Sequence, residues 1–146
     1  MAIDKLVYII DDDQVYLKFM TEHFKRMGGF ITEIFLNGDE VINMLNKHRP
    51  DSAAGRPDII ILDNHLEEPN KSGMHYLKLL SKVKPRIPVI YITADTDIEL
   101  RKTVEKMGVE SFILKDSSFL VYLRTALDDL TSLGKKKSII KKIFSR

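Results

Sequence analysis

Short apolar runs alternate along the chain with longer stretches in which apolar residues recur every three or four positions. The short runs, rich in β-branched and aromatic residues, predict strands at 6–10, 31–36, 58–62, 89–92 and 111–114. The longer stretches predict helices that begin near residues 14, 37, 74, 96 and 117. This repeated alternation indicates an α/β fold with a parallel sheet covered by helices on both faces. Right-handed crossovers favour a five-stranded sheet in the order 2-1-3-4-5.

The most apolar run, Ile59–Leu62, ends directly at Asp63. Because it has no polar alternation, it predicts a strand buried on both faces at the centre of the sheet. Open α/β sheets bind their ligands at the carboxyl ends of the strands. Asp63 is therefore expected at the functional edge.

Helix boundaries and faces are predicted from local signals. The first helix, 14–27, is expected to pack through residues 15, 19, 20, 24 and 27 and to stop at the two glycines 28 and 29. Thr96 with Glu99 has the pattern of a capping box, and Ser117 is the predicted cap of the last helix.

Composition narrows the class of protein. The 146 residues, 44% hydrophobic and 30% charged, are typical of one globular domain. There is no cysteine, which excludes disulfides and thiolate chemistry, and the histidines at 23, 48, 65 and 75 lack the spacing of a metal-binding pair. Neither a signal peptide nor a run of about 18 apolar residues is present. The expected compartment is the cytoplasm.

The net charge of +2 is unevenly distributed. Residues 135–146 hold six of the 23 basic residues and no acid, so the preceding chain is mildly acidic. We therefore divide the chain into a main domain, 1–133, and a basic tail, 134–146. The apolar tail residues Ile139, Ile140, Ile143 and Phe144 have helical spacing.

The tail has three interpretations. It is either an amphipathic helix for an anionic membrane or a partner's groove, or an extension of the last helix that packs on the domain. The extension of the last helix is favoured over an amphipathic helix for a membrane or a groove, because so short a helix is marginal alone. Nucleic-acid binding through six charges has no recognisable fold behind it.

Carboxylate, hydroxyl or ammonium side chains follow four of the five predicted strands. Asp11 and Asp12 follow the first strand, Asp63 the third, Thr93 the fourth and Lys115 the fifth. In the predicted strand order these side chains converge at one edge. Clustered carboxylates repel one another, and a hard cation such as Mg²⁺ relieves the repulsion. A carboxylate beside a cation, an ammonium and a hydroxyl is suited to accept a phosphoryl group.

Four segments carry a resemblance to a known family: I-I-D-D-D at 9–13, I-I-I-L-D at 59–63, Y-I-T-A at 91–94 and S-F-I-L-K at 111–115. With this order and spacing, residues 4 to about 133 resemble the receiver domain of two-component response regulators, in particular stand-alone receivers of the chemotaxis type. The resemblance implies a flavodoxin-like fold and a phosphoprotein rather than a conventional enzyme. It implies a histidine kinase or histidine phosphotransfer protein as donor and an output protein that it does not identify. No DNA-binding domain is expected.

The resemblance also implies roles for individual residues. Asp63 would accept the phosphoryl group, and Asp11 and Asp12 would hold Mg²⁺ with it. The backbone carbonyl of His65 would be a further ligand. Lys115 would pair with the phosphate. Thr93 would be the switch hydroxyl and Phe112 the switch aromatic, acting on the face formed by the fourth helix, fifth strand and fifth helix.

Two departures from the family pattern concern the site itself. Asp116 follows Lys115 where receivers usually have proline, so its carboxylate is a competing partner for the ammonium. The loop after Asp63 is about two residues longer and carries Glu67 and Glu68, which place negative charge near a site for an anion.

These departures leave other interpretations open. One is an unphosphorylated pseudo-receiver that keeps the fold as an interaction module. Another is a Mg²⁺-dependent phosphohydrolase, for which the sequence offers no obvious additional acid or base. Taken singly, Asp11, Asp12 and Asp13 also suit the start of a helix, and Phe112 suits ordinary packing.

Overall fold

The computed structural model describes residues 4–47, 56–67 and 71–131. Strands and helices alternate throughout. The strands are β1 (Lys5–Ile10), β2 (Phe30–Phe35), β3 (Ile59–Asp63), β4 (Val89–Thr93) and β5 (Ser111–Leu114). The helices are α1 (Gln14–Met27), α2 (Asp39–Lys47), α3 (Gly73–Leu80), α4 (Ile98–Lys106) and α5 (Phe119–Leu130). None of these described helices is long and apolar enough to cross a membrane.

The five strands form one sheet in the order β2-β1-β3-β4-β5, with every neighbouring pair parallel. This confirms the predicted fold class and strand order. Ile9 of β1 lies opposite Ile61 of β3, which lies opposite Ile90 of β4. All five residues of β3 are buried, as expected for a central strand.

Alternate residues of the strands face two separate cores, because successive side chains point to opposite faces of a sheet. Val7 and Ile9 belong to the core beneath α1 and α5. Tyr8 and Ile10 belong to the core beneath α2, α3 and α4. Fully burying one such aliphatic side chain is worth roughly 1.5–3 kcal/mol. The two apolar layers fix the sheet between the helices and so fix which strand ends lie side by side.

The predicted packing face of α1 was partly wrong. Val15 and Phe19 are 58% and 47% exposed, whereas Leu17 is buried at 5%. The helix packs instead through Leu17, Met20 and Phe24. Their spacing of three and four places them on one stripe, and α1 has more apolar residues than one stripe can hold. Gly28 ends the helix with a positive φ of 68°, as predicted.

Two predicted caps were also wrong by one residue. Asp97, not Thr96, caps α4 and accepts a 2.9 Å hydrogen bond from the Glu99 backbone N–H. Ser118, not Ser117, occupies the N-cap position of α5, without a side-chain cap bond. Adjacent residues with cap-forming side chains give the same local signal, and the packing of the helix decides which one is used.

Gly38 provides a test of the packing between the start of α2 and α3. A Cβ at Gly38 would lie 2.4 Å from the Tyr76 ring, which is completely buried. We expect Gly38→Ala to lower the free energy of unfolding by about 1–3 kcal/mol because a packed ring cannot withdraw. Urea denaturation measures the change. In a Tyr76→Leu background the same substitution should cost much less, and an equal cost in both backgrounds would contradict the assigned clash.

Candidate functional site

Three aspartates meet at the carboxyl ends of β1 and β3. Asp11 and Asp12 follow β1 directly, and Asp63 is the last residue of β3. Asp11 is 0% exposed and Asp63 2%. Each of the three offers a carboxylate oxygen within 4.8 Å of the others. The strand order predicted from the sequence thus brings together the acids predicted to form a site.

Lys115 supplies the opposite charge. Its Nζ lies 3.0 Å from Asp11 Oδ2 and 3.2 Å from Asp63 Oδ1, and its side chain is 6% exposed. Asp13 is a more distant partner at 3.9 Å, and its side chain caps α1 by accepting from the N–H of Val15. The lysine follows β5, and its own N–H donates to the carbonyl of Thr93 at 2.8 Å. The ammonium is therefore inserted between two buried carboxylates.

Tyr16 completes the enclosure of this ammonium. Lys115 Nζ lies 4.7 Å from the centre of the Tyr16 ring, within the range of a cation–π contact. The ring is held edge-on by Phe119 at the start of α5, with centroids 5.1 Å apart. Sequence reasoning missed Tyr16. The only available signal was its place one turn into the helix that follows the aspartates.

Burial and like charge raise the pKa of both enclosed acids. Burial, together with the charge of Asp11, raises the pKa of Asp63 to about 7, although Lys115 opposes the shift. Burial also raises the pKa of Asp11, again against the effect of Lys115. For Lys115 itself, burial disfavours the charged form, but the two carboxylates outweigh it and raise its pKa. The lysine stays charged, while the acids carry more negative charge than one ammonium offsets.

The donor set suits a hard cation. Asp11 Oδ2 is buried, and its close partner among the described residues is the Lys115 ammonium at 3.0 Å. Asp11 Oδ1 accepts from the Asp13 N–H at 2.9 Å, and Asp12 Oδ2 accepts from the Glu67 N–H at 2.7 Å. Mg²⁺ prefers oxygen ligands and takes one or two carboxylates with several waters. His65 is exposed in the loop after β3, and ligation by its carbonyl stays a prediction.

The two predicted switch residues lie at different depths. Thr93 is 1% exposed, and its Oγ1 accepts from the N–H of Asp95 at 2.9 Å. Phe112 is half-buried, stacked on Tyr91 at 6.0 Å and covered by the Arg101 guanidinium at 5.5 Å. These contacts fit both ordinary packing of Phe112 and a switch role.

Tyr91 was missed by sequence reasoning. Its side chain is completely buried, and its hydroxyl donates to the Oδ1 of Asn64, the residue after Asp63. Burial and then the charge of Asp63 raise the pKa of Tyr91. A Cβ at Gly73 would lie 2.4 Å from the Asp63 carbonyl oxygen and 2.8 Å from the Tyr91 hydroxyl oxygen. Tyr91 thus links the Asp63 loop to Phe112, and the glycine makes room for that link.

The two departures from the family pattern have different places in the structure. Asp116 is exposed and accepts from the N–H of Ser118 at 2.9 Å, while the Lys115 ammonium remains with Asp11 and Asp63. Glu67 is exposed and reaches the site through its backbone N–H. Glu68 and the predicted tail lie outside the described residues.

A parallel sheet in this order, with an aspartate trio and a lysine at its carboxyl edge, defines the class of the protein. The response regulator receiver domain family matches residues 7–125, and the chain belongs to this family. Its members are phosphoacceptor modules of two-component signalling.

Individual relatives are distant. The chain is 28% identical to the response regulator protein TodT of Pseudomonas putida over 125 residues, covering 84% of this chain and 51% of TodT. It is 26% identical to the transcriptional regulator NtrC of Escherichia coli over 110 residues, covering 75% of this chain and 21% of NtrC. The chain therefore spans from a fifth to about half of these relatives. A receiver protein structure from Burkholderia phymatum is 26% identical with a TM-score of 0.68, covering 90% and 96% of the two chains.

The raised pKa of Asp63 predicts a pH-dependent cost of folding. In Mg²⁺-free buffer, we expect Asp63→Asn to increase the free energy of unfolding by about 1–3 kcal/mol near pH 8. The pKa is about 7 in the folded chain and ordinarily 3.8, so the folded state binds more protons between these values. Stability consequently falls as the pH rises through this window. Lys115 keeps Asp11 as a partner in the variant.

Urea denaturation at a series of pH values measures this effect. The gain from Asp63→Asn should become small near the unfolded-state pKa of 3.8 and disappear below it, where the carboxyl group is protonated in both states. Asp58→Asn, at the opposite end of β3, is the matched control. A gain that did not change with pH would contradict the assigned cause.

The contact between Tyr16 and Lys115 predicts an energetic coupling. A double-mutant cycle of Tyr16→Leu with Lys115→Met should give a coupling energy of about 0.5–2 kcal/mol in urea denaturation. The cycle with Tyr16→Phe should give a value near zero, because phenylalanine keeps the ring face. Equal coupling in the two cycles would show that the Tyr16 hydroxyl, which both variants remove, and not the face of the ring connects the residues.

Proposed function

We propose that this chain accepts a phosphoryl group on Asp63 from a histidine kinase or a histidine phosphotransfer protein and signals through altered protein binding. The observation that carries the proposal is the position of Asp63, whose carboxylate lies 3.2 Å from the Lys115 ammonium and against two further aspartates. Such a site offers a nucleophilic carboxylate oxygen beside an ammonium that can pair with a phosphoryl oxygen.

The chemistry assigns a role to each side chain. A carboxylate oxygen of Asp63 attacks the phosphorus, the bond from phosphorus to the donor's imidazole nitrogen breaks, and that nitrogen keeps the electron pair. Lys115, already beside Asp63, pairs with a phosphoryl oxygen and offsets the charge that develops there. The Thr93 hydroxyl, which follows the neighbouring strand, supplies a hydrogen-bond donor to another oxygen.

Asp11, Asp12 and Asp63 would hold Mg²⁺, with the His65 carbonyl as a further ligand. The buried Oδ2 of Asp11, whose close partner among the described residues is the Lys115 ammonium at 3.0 Å, supports this assignment. The ion would relieve the repulsion between the acids and bind phosphoryl oxygens. With that repulsion relieved, Asp63 is ionised at neutral pH, as a nucleophile must be.

The output would come from the face of α4, β5 and α5. When the Thr93 hydroxyl turns toward the phosphoryl group, it loses the hydrogen bond that it accepts from the Asp95 N–H. Asp95 lies at the start of the loop between β4 and α4. Arg101, which covers the Phe112 ring, belongs to α4, the helix into which this loop leads. A change of charge at Asp63 would in this way bias the surface that partners bind.

A pseudo-receiver is the second candidate. The exposed carboxylates of Glu67 and Asp116 favour it, since both add negative charge on the side from which an anionic donor approaches. In this alternative the fold serves as an interaction module, and neither Mg²⁺ nor phosphate binds with measurable affinity.

Labelling with a small phosphodonor separates the two candidates. With Mg²⁺ and acetyl phosphate, the intact mass should increase by about 80 Da, one phosphoryl group. Asp63→Asn should not be labelled, and Asp58→Asn, at the other end of β3, should be labelled like the wild type. Labelling of Asp63→Asn would show that the acceptor is assigned wrongly. If the wild type is not labelled and Mg²⁺ titration gives no binding, the pseudo-receiver is supported.

A further inference from the structure

A groove of about 590 Å³ lies between α4, β5 and α5. It is at the β5 edge of the sheet, opposite the edge formed by β2. Its floor is β5, Ser111–Leu114, an edge strand that has no neighbour on one side among the described strands. The half-buried ring of Phe112 lies in this floor, and the Tyr122 ring, 60% exposed, stands at its α5 side. The groove thus combines an open strand edge with two aromatic rings.

The rim of the groove is acidic. Glu105 is paired with Arg101 at 2.6 Å and is therefore offset. Glu110 and Asp116 also line the groove, and neither forms an ion pair within residues 4–47, 56–67 and 71–131. The unpaired carboxylates favour an occupant that is positively charged and carries apolar side chains for the rings.

The chain contains a segment of this composition immediately after α5. Residues 132–146 include six basic residues and no acid. Their four large apolar residues after the lysine cluster are Ile139, Ile140, Ile143 and Phe144. In the sequence this segment follows α5, which forms one wall of the groove and ends at Leu130.

The segment is long enough to return along the groove. α5 has 12 residues and is about 18 Å long. Fifteen extended residues span up to about 50 Å. A turn after α5 therefore leaves enough chain to follow β5 as far as Asp116.

We propose that residues 132–146 dock in the α4–β5–α5 groove of their own chain, with lysines against Glu110 and Asp116 and apolar residues against Phe112 and Tyr122. A tethered segment has a high effective concentration, so modest contacts are sufficient for it to occupy the groove. The docked segment covers the face assigned to output, and a partner must displace it in order to bind.

The charges favour this occupant over two others. An anionic membrane surface would be repelled by the acidic rim, although the basic segment alone would be attracted to it. A second copy of the domain would bring an equally acidic groove against the first. Docking within one chain places lysines of the basic segment against the unpaired carboxylates of the rim.

Paramagnetic relaxation in the full chain tests the proposal. Because the chain has no cysteine, Ser145→Cys gives a single site for a spin label. We expect strong broadening of the backbone amide signals of Ser111–Leu114 and Tyr122, and none at α2, which packs near the opposite edge of the sheet. Reversing the rim charges with Glu110→Lys and Asp116→Lys should weaken the broadening several-fold, whereas Glu40→Lys on α2 should leave it unchanged.

Three outcomes would overturn the proposal. They are the absence of broadening, broadening centred outside the groove, and broadening that appears when spin-labelled and isotope-labelled chains are mixed, which would indicate a second copy. Signals that change only on adding anionic phospholipid vesicles would indicate a membrane. The measurement uses unphosphorylated protein, so its failure leaves the assignment of Asp63 untouched, and failure of labelling at Asp63 leaves the docking intact.

Discussion

The position of one ammonium group between two buried carboxylates constrains the whole structure. Lys115 lies 3.0 Å from Asp11 and 3.2 Å from Asp63, and these residues come from three different strands. Removing charges from water is costly, so the arrangement is tolerated only because the charges oppose one another at close range. The cluster requires β1, β3 and β5 to end at one edge, which the parallel order of the sheet provides.

The same cluster is connected to both sides of the sheet. Tyr16 covers the ammonium and packs on Phe119, so the site contacts the interface between α1 and α5. Tyr91 joins the loop after Asp63 to Phe112 on the opposite side. Two packed aromatic contacts therefore connect the site to both faces of the sheet.

The local pattern of apolar residues was sufficient to predict the sheet, but not to predict the packing face and cap of every helix. The run Ile59–Leu62 is uniformly apolar, and only a central strand buries both of its faces, so its position followed directly. The prediction that Val15 and Phe19 are buried was wrong because α1 carries more apolar residues than one packing stripe holds. The prediction that Thr96 caps α4 was wrong because its neighbour Asp97 caps equally well. How the helix docks decides a shift of one residue.

The sequence by itself determined the strand order and which residues stand at the strand ends, because hydrophobic periodicity and right-handed crossovers leave few alternatives. It thereby determined that Asp11, Asp63 and Lys115 share an edge. Only the tertiary structure decided that Tyr16 covers the ammonium and that Tyr91 bonds to Asn64. Those contacts, and the burial that raises the pKa of Asp63 to about 7, depend on the relative placement of side chains distant in sequence. Periodicity carries no information about such distances.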